Sequence, residues 1–274
     1  MKNLLKTDFK RILKDKLLIV MGILAVVFAV ITPLLYAVLF SNIGIEDDPM
    51  ISAYISGKAQ FFGTFSLGNN LGLIAPVLLA IALCKDFSFG TIRNKIIAGK
   101  SRSAIFMSLF ATCATVFVSI MLLQAFVTLG ISLIFFDYQP TAFTISDFWY
   151  FIESLGLELL VLLWVAALLS YLCANMKNVG LVIVLYIAIS FILVIAGSIV
   201  QVVLAILETV NGYETLTKLL YFIDRINIGN ATKYIGTGTE YNLEDVLYLT
   251  IPALVGIFGF IGLGLCRFNK KDLK

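Results

Sequence analysis

Histidine is absent from this 274-residue chain, and charged residues are few. The absence of histidine excludes Ser-His-Asp triads, HExxH metalloproteases and histidine-ligated metal or haem centres. Charged residues make up 14% of the chain and hydrophobic residues 60%, whereas a soluble domain has about 25% and about 45–50%. With a mean hydropathy of +1.00, the composition predicts a protein that lies in a membrane.

Cysteine is also scarce, and the net charge is small. The cysteines lie in or beside apolar runs, far from one another in sequence; they are Cys84, Cys113, Cys173 and Cys266. They form neither a CxxC motif nor a secreted disulfide framework, so we expect them to pack as apolar residues. A net charge of +3 does not indicate a nucleic-acid partner.

Long apolar runs are what the chain has in abundance. A helix needs about 20 apolar residues to cross a bilayer. The runs that meet this requirement lie near residues 17–40, 66–84, 104–136, 148–173, 179–206 and 246–266. They predict an all-α membrane protein with six transmembrane helices, forming one domain over residues 1–274.

Basic residues predict how these helices are oriented. The amino-terminal segment, the 85–103 loop, the 174–178 loop and the tail hold sixteen Lys and Arg residues, and the alternate segments hold four. By the positive-inside rule, both termini and the 85–103 loop are therefore cytoplasmic. On the other side we expect a polar loop over 41–65 and a short amphipathic helix over 215–223.

The first sixteen residues predict a helix that lies in the headgroup plane of the membrane. One face would carry apolar side chains and another would carry lysines at every fourth position. The residues concerned are Leu5, Phe9, Ile12 and Leu13 on the first face and Lys6, Lys10 and Lys14 on the second. The alternative is a basic flank without defined structure.

The 85–103 loop contains Gly99-Lys100-Ser101, the tripeptide that ends a nucleotide-binding P-loop. The P-loop motif GxxxxGK[ST] requires glycine at 94, where this chain has Asn94. It also requires a preceding strand, whereas this loop lies between two apolar runs. We therefore do not expect the chain to bind ATP itself.

Within this loop, TIRNKIIAG has the pattern of a short helix. Ile92 and Ile96 share a face, Ser88 is placed to cap the start, and Gly99 is placed to end it. Ser101 and Arg102 would then begin the third span. A helix that presents apolar and basic side chains to the cytosol suits docking into a partner's groove. The alternative is a charged hairpin with no partner.

The stretch LCKDFSFGTIRNKIIAGKSRSAIFMSLF (83–110) resembles the signature of type-2 ATP-binding-cassette (ABC) permeases, the membrane subunits of bacterial ABC exporters. Phe89 departs from the pattern, which usually has a small residue there. The six spans, the amino-terminal helix and the outer segment before the last span extend the resemblance over the whole chain. The composition is also similar to that of Gram-positive members that handle antimicrobial peptides.

This resemblance implies a multi-pass permease subunit in the bacterial cell membrane that has no catalytic activity or cofactor of its own. ATP and Mg would be bound by cytoplasmic ABC ATPase subunits, and a second permease subunit, identical or related, would complete the path. The residues to which it assigns ATPase coupling are Asp86, Phe87, Gly90, Thr91, Ile92, Arg93, Asn94, Gly99, Ser101 and Arg102.

Polar residues inside the predicted spans are candidates for a translocation path, because a charged group in lipid costs about 2.5–3.5 kcal/mol. These candidates are Glu158, Gln124 and Gln201. Glu158 could instead form a subunit contact, and we expect Glu153 to reach the outer surface.

Two other classes of function remain as alternatives to the permease. One is an ion-coupled secondary transporter or channel that works without an ATPase; the sequence has no inverted repeat that would favour it. The other is an intramembrane enzyme, for which the sequence has no histidine, no GxSxG motif and no clustered cysteines or carboxylates.

Overall fold

The structure is a computed structural model that describes residues 2–43, 53, 55–88, 90–139, 141–176, 178–208, 213–236 and 240–270. Every secondary-structure element in these ranges is helical, which confirms the all-α class. The α-helices are α1 (Lys2–Ile12), α2 (Lys16–Ile43), α3 (Gly57–Gly63), α4 (Asn70–Ser88), α5 (Thr91–Ile97), α6 (Arg102–Phe135), α7 (Ile145–Asn175), α8 (Val179–Glu208), α9 (Glu214–Ile226), α10 (Ala231–Tyr234) and α11 (Leu243–Lys270), with a 3-10 turn at Ile228–Asn230.

Long apolar helices confirm a multi-pass membrane architecture. Within the described residues, 5 helices are long and apolar enough to cross a membrane: α2, α6, α7, α8 and α11. The predicted second span is α4, which passes the same test only together with α5, and the two are bent by 48°. Six spans therefore result only if α4 and α5 count as one bent span.

The centre of the bundle is formed by α6 and α7, which are buried over most of their length. Around them, α2 packs on α6, while α8 and α11 pack on α7. The outward faces of α2, α8 and α11 remain apolar and exposed, as Ile23, Phe191 and Phe258 illustrate. Such faces suit contact with lipid or with another subunit.

Two ends of the bundle can be defined by their contacts. The α5 end contains α1, α5, the start of α6 and the end of α11, since Lys95 bonds Asp8 and Arg102 bonds the Asn269 carbonyl. The α9 end contains α3, α9, α10 and the starts of α7 and α11, which meet where Tyr150 stacks on Tyr241. The described parts of both chain ends thus lie together.

The outer loop predicted over 41–65 is wrong for its last part. Residues 44–52 and 54 lie outside the described residues, but Gly57–Gly63 forms α3, whose Phe61 and Phe62 are buried. The Phe61 ring lies 5.4 Å from Phe126 and 5.1 Å from Phe151. Because α3 inserts these rings between α6 and α7, it belongs to the core. The helix predicted over 215–223 is confirmed as α9.

Candidate functional site

In the 85–103 loop, the end of the short helix α5 is as predicted, but its start is not. α5 begins after Gly90, which adopts φ +67 in the left-handed region and has no side chain with which to cap the helix. Ser88 is still within α4, so its predicted capping role is wrong. Glycine suits this position before α5 because a residue with a Cβ adopts the left-handed backbone conformation only at a cost in free energy.

Gly99 ends α5, as predicted. Its φ is +77, its N–H donates to the Ile96 carbonyl at 2.9 Å, and the Lys100 N–H donates to the Lys95 carbonyl at 3.1 Å. This pair of bonds is a Schellman motif. Ser101 then accepts a bond from the Ala104 N–H at 3.3 Å and caps α6. The GKS tripeptide is therefore a helix end followed by a helix start.

The two faces of α5 have different environments. Arg93, Asn94 and Ile97 are exposed, Ile97 to 74%. Ile92 is buried, and Ile96 packs against the core beside it. Ile92 and Ile96 thus share a face, as predicted, and that face is turned to the core, so that Ile97 supplies the exposed apolar group.

A network of charges joins the buried side of α5 to α1 and α4. The Lys95 ammonium lies 2.6 Å from an Asp8 carboxylate oxygen and 3.6 Å from an oxygen of Asp86. Asp86 also forms an ion pair with Arg11, and Ser108 of α6 donates to Asp8 at 2.6 Å. Both carboxylates are buried, with Asp86 only 1% exposed. This network, defined here as Asp8, Arg11, Asp86, Lys95 and Ser108, joins four helices.

Buried ion pairs add little net stability, but the loss of one partner leaves a costly uncompensated charge. Burial lowers the pKa of Arg11, whereas the carboxylates of Asp8 and Asp15 act to raise it. The network therefore fixes the relative positions of α1, α4, α5 and α6 by charge balance.

Sequence reasoning missed Asp8 and Arg11. The signal was present, because Leu4, Asp8 and Ile12 recur at every fourth position, and the structure buries all three. An acidic residue on the buried face of a basic helix indicates a cationic partner elsewhere in the protein.

α1 is also shorter than the predicted element of residues 1–16. It ends at Ile12, and the Asp15 side chain accepts a bond from the Leu17 N–H at 3.1 Å where α2 begins. Lys6 and Lys10 are exposed on α1 and Phe9 is half-buried, whereas Leu13 and Lys14 are exposed and follow the helix.

The remaining predicted coupling residues lie around α5. Phe87 packs near Phe268 of α11, with ring centroids 6.3 Å apart. Arg102 donates to the Asn269 carbonyl at 2.8 Å, and Thr91 is half-buried at the start of α5. The end of α11 is thus a further element in contact with this site, through residues that sequence reasoning did not select.

Glu158 and Gln124 lie inside the bundle. Glu158 is fully buried and Gln124 is 2% exposed. Cys113 of α6 contacts Ser170 of α7, and α6 and α7 run antiparallel. Counting eleven residues from Cys113 to Gln124 and twelve from Ser170 to Glu158 puts the two side chains at about the same depth. Among the described residues, neither Glu158 oxygen has a hydrogen-bond partner.

Gln201, the third predicted path residue, lies elsewhere, at the α9 end. Its amide donates to Asp224 at 3.3 Å, and its oxygen accepts from Lys233 at 2.7 Å. Asp224 is fully buried and also accepts from Asn230 and Tyr234. Burial and the adjacent Asp224 raise the pKa of Tyr234, which keeps its hydroxyl protonated as a donor. Sequence reasoning missed Asp224, although it lies in the last turn of the amphipathic α9.

A metal site of His, Cys, Asp and Glu ligands is not found within the described ranges, where no group of three such residues is suitably placed. The chemical groups at the α5 end are instead buried ion pairs on one side of α5 and exposed polar and apolar side chains on the other. Asp86 and Lys95 face inward and pair with each other, and Arg93 and Ile97 are exposed.

A search of curated proteins finds no match to this chain. A family model does match, and its description reads "Protein of unknown function (DUF2705)". The match covers residues 17–274, which include every described helix except α1 and the first residue of α2. The chain therefore belongs to the DUF2705 family.

Proposed function

We propose that this protein is the permease subunit of an ABC exporter that moves an amphipathic or hydrophobic substrate, such as an antimicrobial peptide. ATP and Mg would be bound and ATP hydrolysed by a separate cytoplasmic ATPase, and a second permease subunit would complete the path. The observation that carries the proposal is α5, a short helix with one exposed face and one face joined by buried charges to α1 and α4.

In this proposal the exposed face of α5 is the docking surface. Arg93, Asn94 and Ile97 combine a cation, an amide and an exposed apolar side chain, which suits a helix that lies in a groove of its partner. The flanking turns at Gly90 and Gly99 set the length of this helix at seven residues. Docking would bury Ile97, which is now exposed.

The buried face would convey the partner's movement into the bundle. A displacement of α5 carries Lys95, and with it the carboxylate of Asp8 on α1, since the two are joined at 2.6 Å. Ser108 extends the connection to the start of α6. ATP hydrolysis shifts the permease only if the ATPase has different affinities for its two conformations, and these contacts would differ between them.

Glu158 favours a second candidate function, an ion-coupled transporter or channel without an ATPase. It is a fully buried carboxyl group whose two oxygens lack hydrogen-bond partners among the described residues. Ionisable groups inside membrane proteins often mark ion or proton pathways. This candidate predicts transport that needs Glu158 and does not need ATP.

Purification from native membranes distinguishes the two functions. If the permease proposal is correct, an ATPase of cassette size accompanies the full-length chain in a fixed stoichiometry. Reconstitution in liposomes with no ATPase gives the opposing result: substrate transport there would reject the permease proposal, and its loss in Glu158→Gln would support the ion-coupled one. Compounds that become more toxic when the gene is deleted supply the substrate for this assay.

The docking surface has a direct test with a matched control. Arg93→Glu reverses the charge on the exposed face of α5 and should reduce the recovered ATPase about tenfold or more, as at an interface hot spot. Lys218→Glu makes the same change from a basic to an acidic residue on an exposed position of α9 and should leave recovery unchanged. Equal recovery with both variants would mean that α5 is not the docking helix.

A further inference from the structure

An open groove of about 660 Å³ lies between α1 and α6. Leu5 and Phe9 line it from α1, and Ala111 and Thr115 line it from α6. Its volume is within the range of about 300–1,000 Å³ that is usual for ligand sites. Its walls are largely apolar, so its occupant must have a substantial apolar part.

Two lysines lie at this groove. Lys6 and Lys10 both line it and both are exposed. Neither has an acidic partner in the part of the chain that the structure describes, whereas Lys85 and Lys95 are paired with Asp15 and Asp8. The two unpaired cations beside an apolar groove complement an anionic group attached to an apolar chain.

The opposite side of α1 holds the groove in shape. Leu4 and Ile12 are buried there, and Asp8 between them bonds Lys95 and Ser108. Because α1 is attached to the bundle through this face, its other face is kept at a set distance from α6. A site formed before its ligand arrives loses less conformational entropy on binding.

The groove extends along α6 from the charge network towards the middle of the bundle. Ser108 contacts Asp8, and Thr115 lies seven residues further along the same helix, a rise of about 10 Å. A soluble anion would need only the lysines. An occupant that also covers this wall needs a chain that reaches into the hydrocarbon region.

We propose that this groove binds one anionic phospholipid, with its phosphate group at Lys6 and Lys10 and an acyl chain along Ala111 and Thr115. A second copy of the chain is a poor alternative, because a two-fold contact through this face would bring four lysines together. Lipid binding in this groove does not depend on the proposed permease function, since it involves α1 and α6 and not an ATPase.

Native mass spectrometry of the full-length protein in detergent tests this site. Phosphatidylglycerol and phosphatidylcholine with identical acyl chains are added separately, and the bound lipid is counted. The wild-type protein should retain phosphatidylglycerol preferentially. The double variant Lys6→Gln/Lys10→Gln should lose on the order of tenfold in phosphatidylglycerol affinity and little in phosphatidylcholine affinity.

A matched double variant controls for charge. Lys14→Gln/Lys16→Gln removes the same charge from exposed positions that do not line the groove, and it should retain phosphatidylglycerol as the wild type does. Equal retention of the two lipids by the wild type would overturn the proposal, as would an equal loss in both double variants.

A steric variant tests the apolar wall with every lysine in place. Thr115 is exposed, so Thr115→Trp should fold and fill the groove, and bound phosphatidylglycerol should fall by a similar factor. Undiminished binding in this variant would overturn the acyl-chain assignment, as would displacement of the lipid by glycerol phosphate at equal concentration. This variant keeps the proposal testable if the lysine variant does not fold.

Discussion

Both ends of the bundle bury aspartates, but they balance the charge in different ways. At the α5 end, Asp8 and Asp86 are paired with the cations Lys95 and Arg11 from other helices. At the α9 end, Asp224 accepts hydrogen bonds from the neutral side chains Gln201, Asn230 and Tyr234.

The difference has a physical consequence. Charge pairs are strong over several ångströms and tolerate small shifts, whereas neutral hydrogen bonds weaken steeply once their geometry is lost. Ion pairs, as at the α5 end, therefore suit helices that shift slightly while their charges stay balanced. Neutral hydrogen bonds, as at the α9 end, suit a short helix that is held in one position. We therefore expect a small displacement of a helix to cost less free energy at the α5 end than at the α9 end.

Removing the shared cation of the α5 end should have the largest effect. Lys95→Met leaves the buried carboxylates of Asp8 and Asp86 short of a positive charge, which should lower the free energy of unfolding by about 3–5 kcal/mol. Denaturant unfolding in detergent micelles measures it. Lys100→Met, five residues along at an exposed position, should change the value by less than about 0.5 kcal/mol. Similar free energies of unfolding for the two variants would mean that the removal of Lys95 leaves no uncompensated buried charge.

Substitution of one glycine at each end of the bundle compares the cost of placing a side chain on a left-handed backbone. Gly236 and Gly90 have nearly the same φ, +76 and +67, but an added Cβ would overlap the Phe62 ring at Gly236 and meet open space at Gly90. Gly236→Ala should therefore cost about 3 kcal/mol, combining strain and overpacking, and Gly90→Ala about 1 kcal/mol. The same unfolding measurement ranks them, and the reverse order would contradict the packing of Phe62 of α3 against Gly236.

Substitution of Asp224 tests the hydrogen bonds that this buried carboxylate accepts from neutral side chains at the α9 end. Asp224→Asn puts an amide N–H₂ among the donors of Asn230 and Tyr234, which should cost about 2 kcal/mol. Asp245→Asn is the control, since Asp245 is paired with Arg225 at 2.7 Å and is 31% exposed, so that its loss should cost about 0–1 kcal/mol. A larger effect at Asp245 would show that the ion pair, and not the buried network, holds α9.

The smallest expected effect is a pH dependence at the α5 end. Burial acts to raise the pKa of Asp15, but the bonds from Lys85 and from the Leu17 N–H outweigh it, and the pKa lies below its ordinary value of 3.8. A lowered carboxylate pKa stabilises the folded protein above the unfolded value, and this stabilisation is lost as the pH falls through the folded value.

Melting temperatures of the wild type and Asp15→Asn should therefore differ by a constant amount from about pH 6 down to about pH 4, and should converge below that. Lys14→Gln, which changes a charge on the neighbouring residue, should run parallel to the wild type over the whole range. A gap between wild type and Asp15→Asn that persists to low pH would assign the effect to packing and not to titration.

Sequence reasoning located the long helices to within a few residues at most ends, because runs of about 20 apolar residues have no other stable arrangement in lipid. It also predicted that α5 ends at Gly99 and that α6 begins at Ser101 and Arg102, both from local signals. It was wrong about Ser88, because the chain continues as helix through that residue and restarts after Gly90. It missed α3, whose Phe61-Phe62 pair was a sign of burial within an otherwise polar segment.

For the candidate site, too, the sequence predicted some properties and missed others. Asp86 and Arg93 were selected from the resemblance, which did not indicate that the first is buried and the second exposed. Gln124 and Glu158 lie at the same depth, and Gln201 lies in a different network. These assignments depend on how the helices pack, and that packing is decided jointly by residues that are far apart in the sequence.

The sequence by itself determined the helical class, the apolar lengths of the long helices, and the concentration of basic residues in alternate connections. These properties follow from composition, from the period of the helix and from the cost of exposing backbone groups to lipid. Tertiary structure alone decided that Asp8 meets Lys95 and Ser108, that Arg11 meets Asp86, and that Asp224 meets neutral donors. The physical reason is that each buried charge takes whatever partner the packing of distant helices brings within a few ångströms.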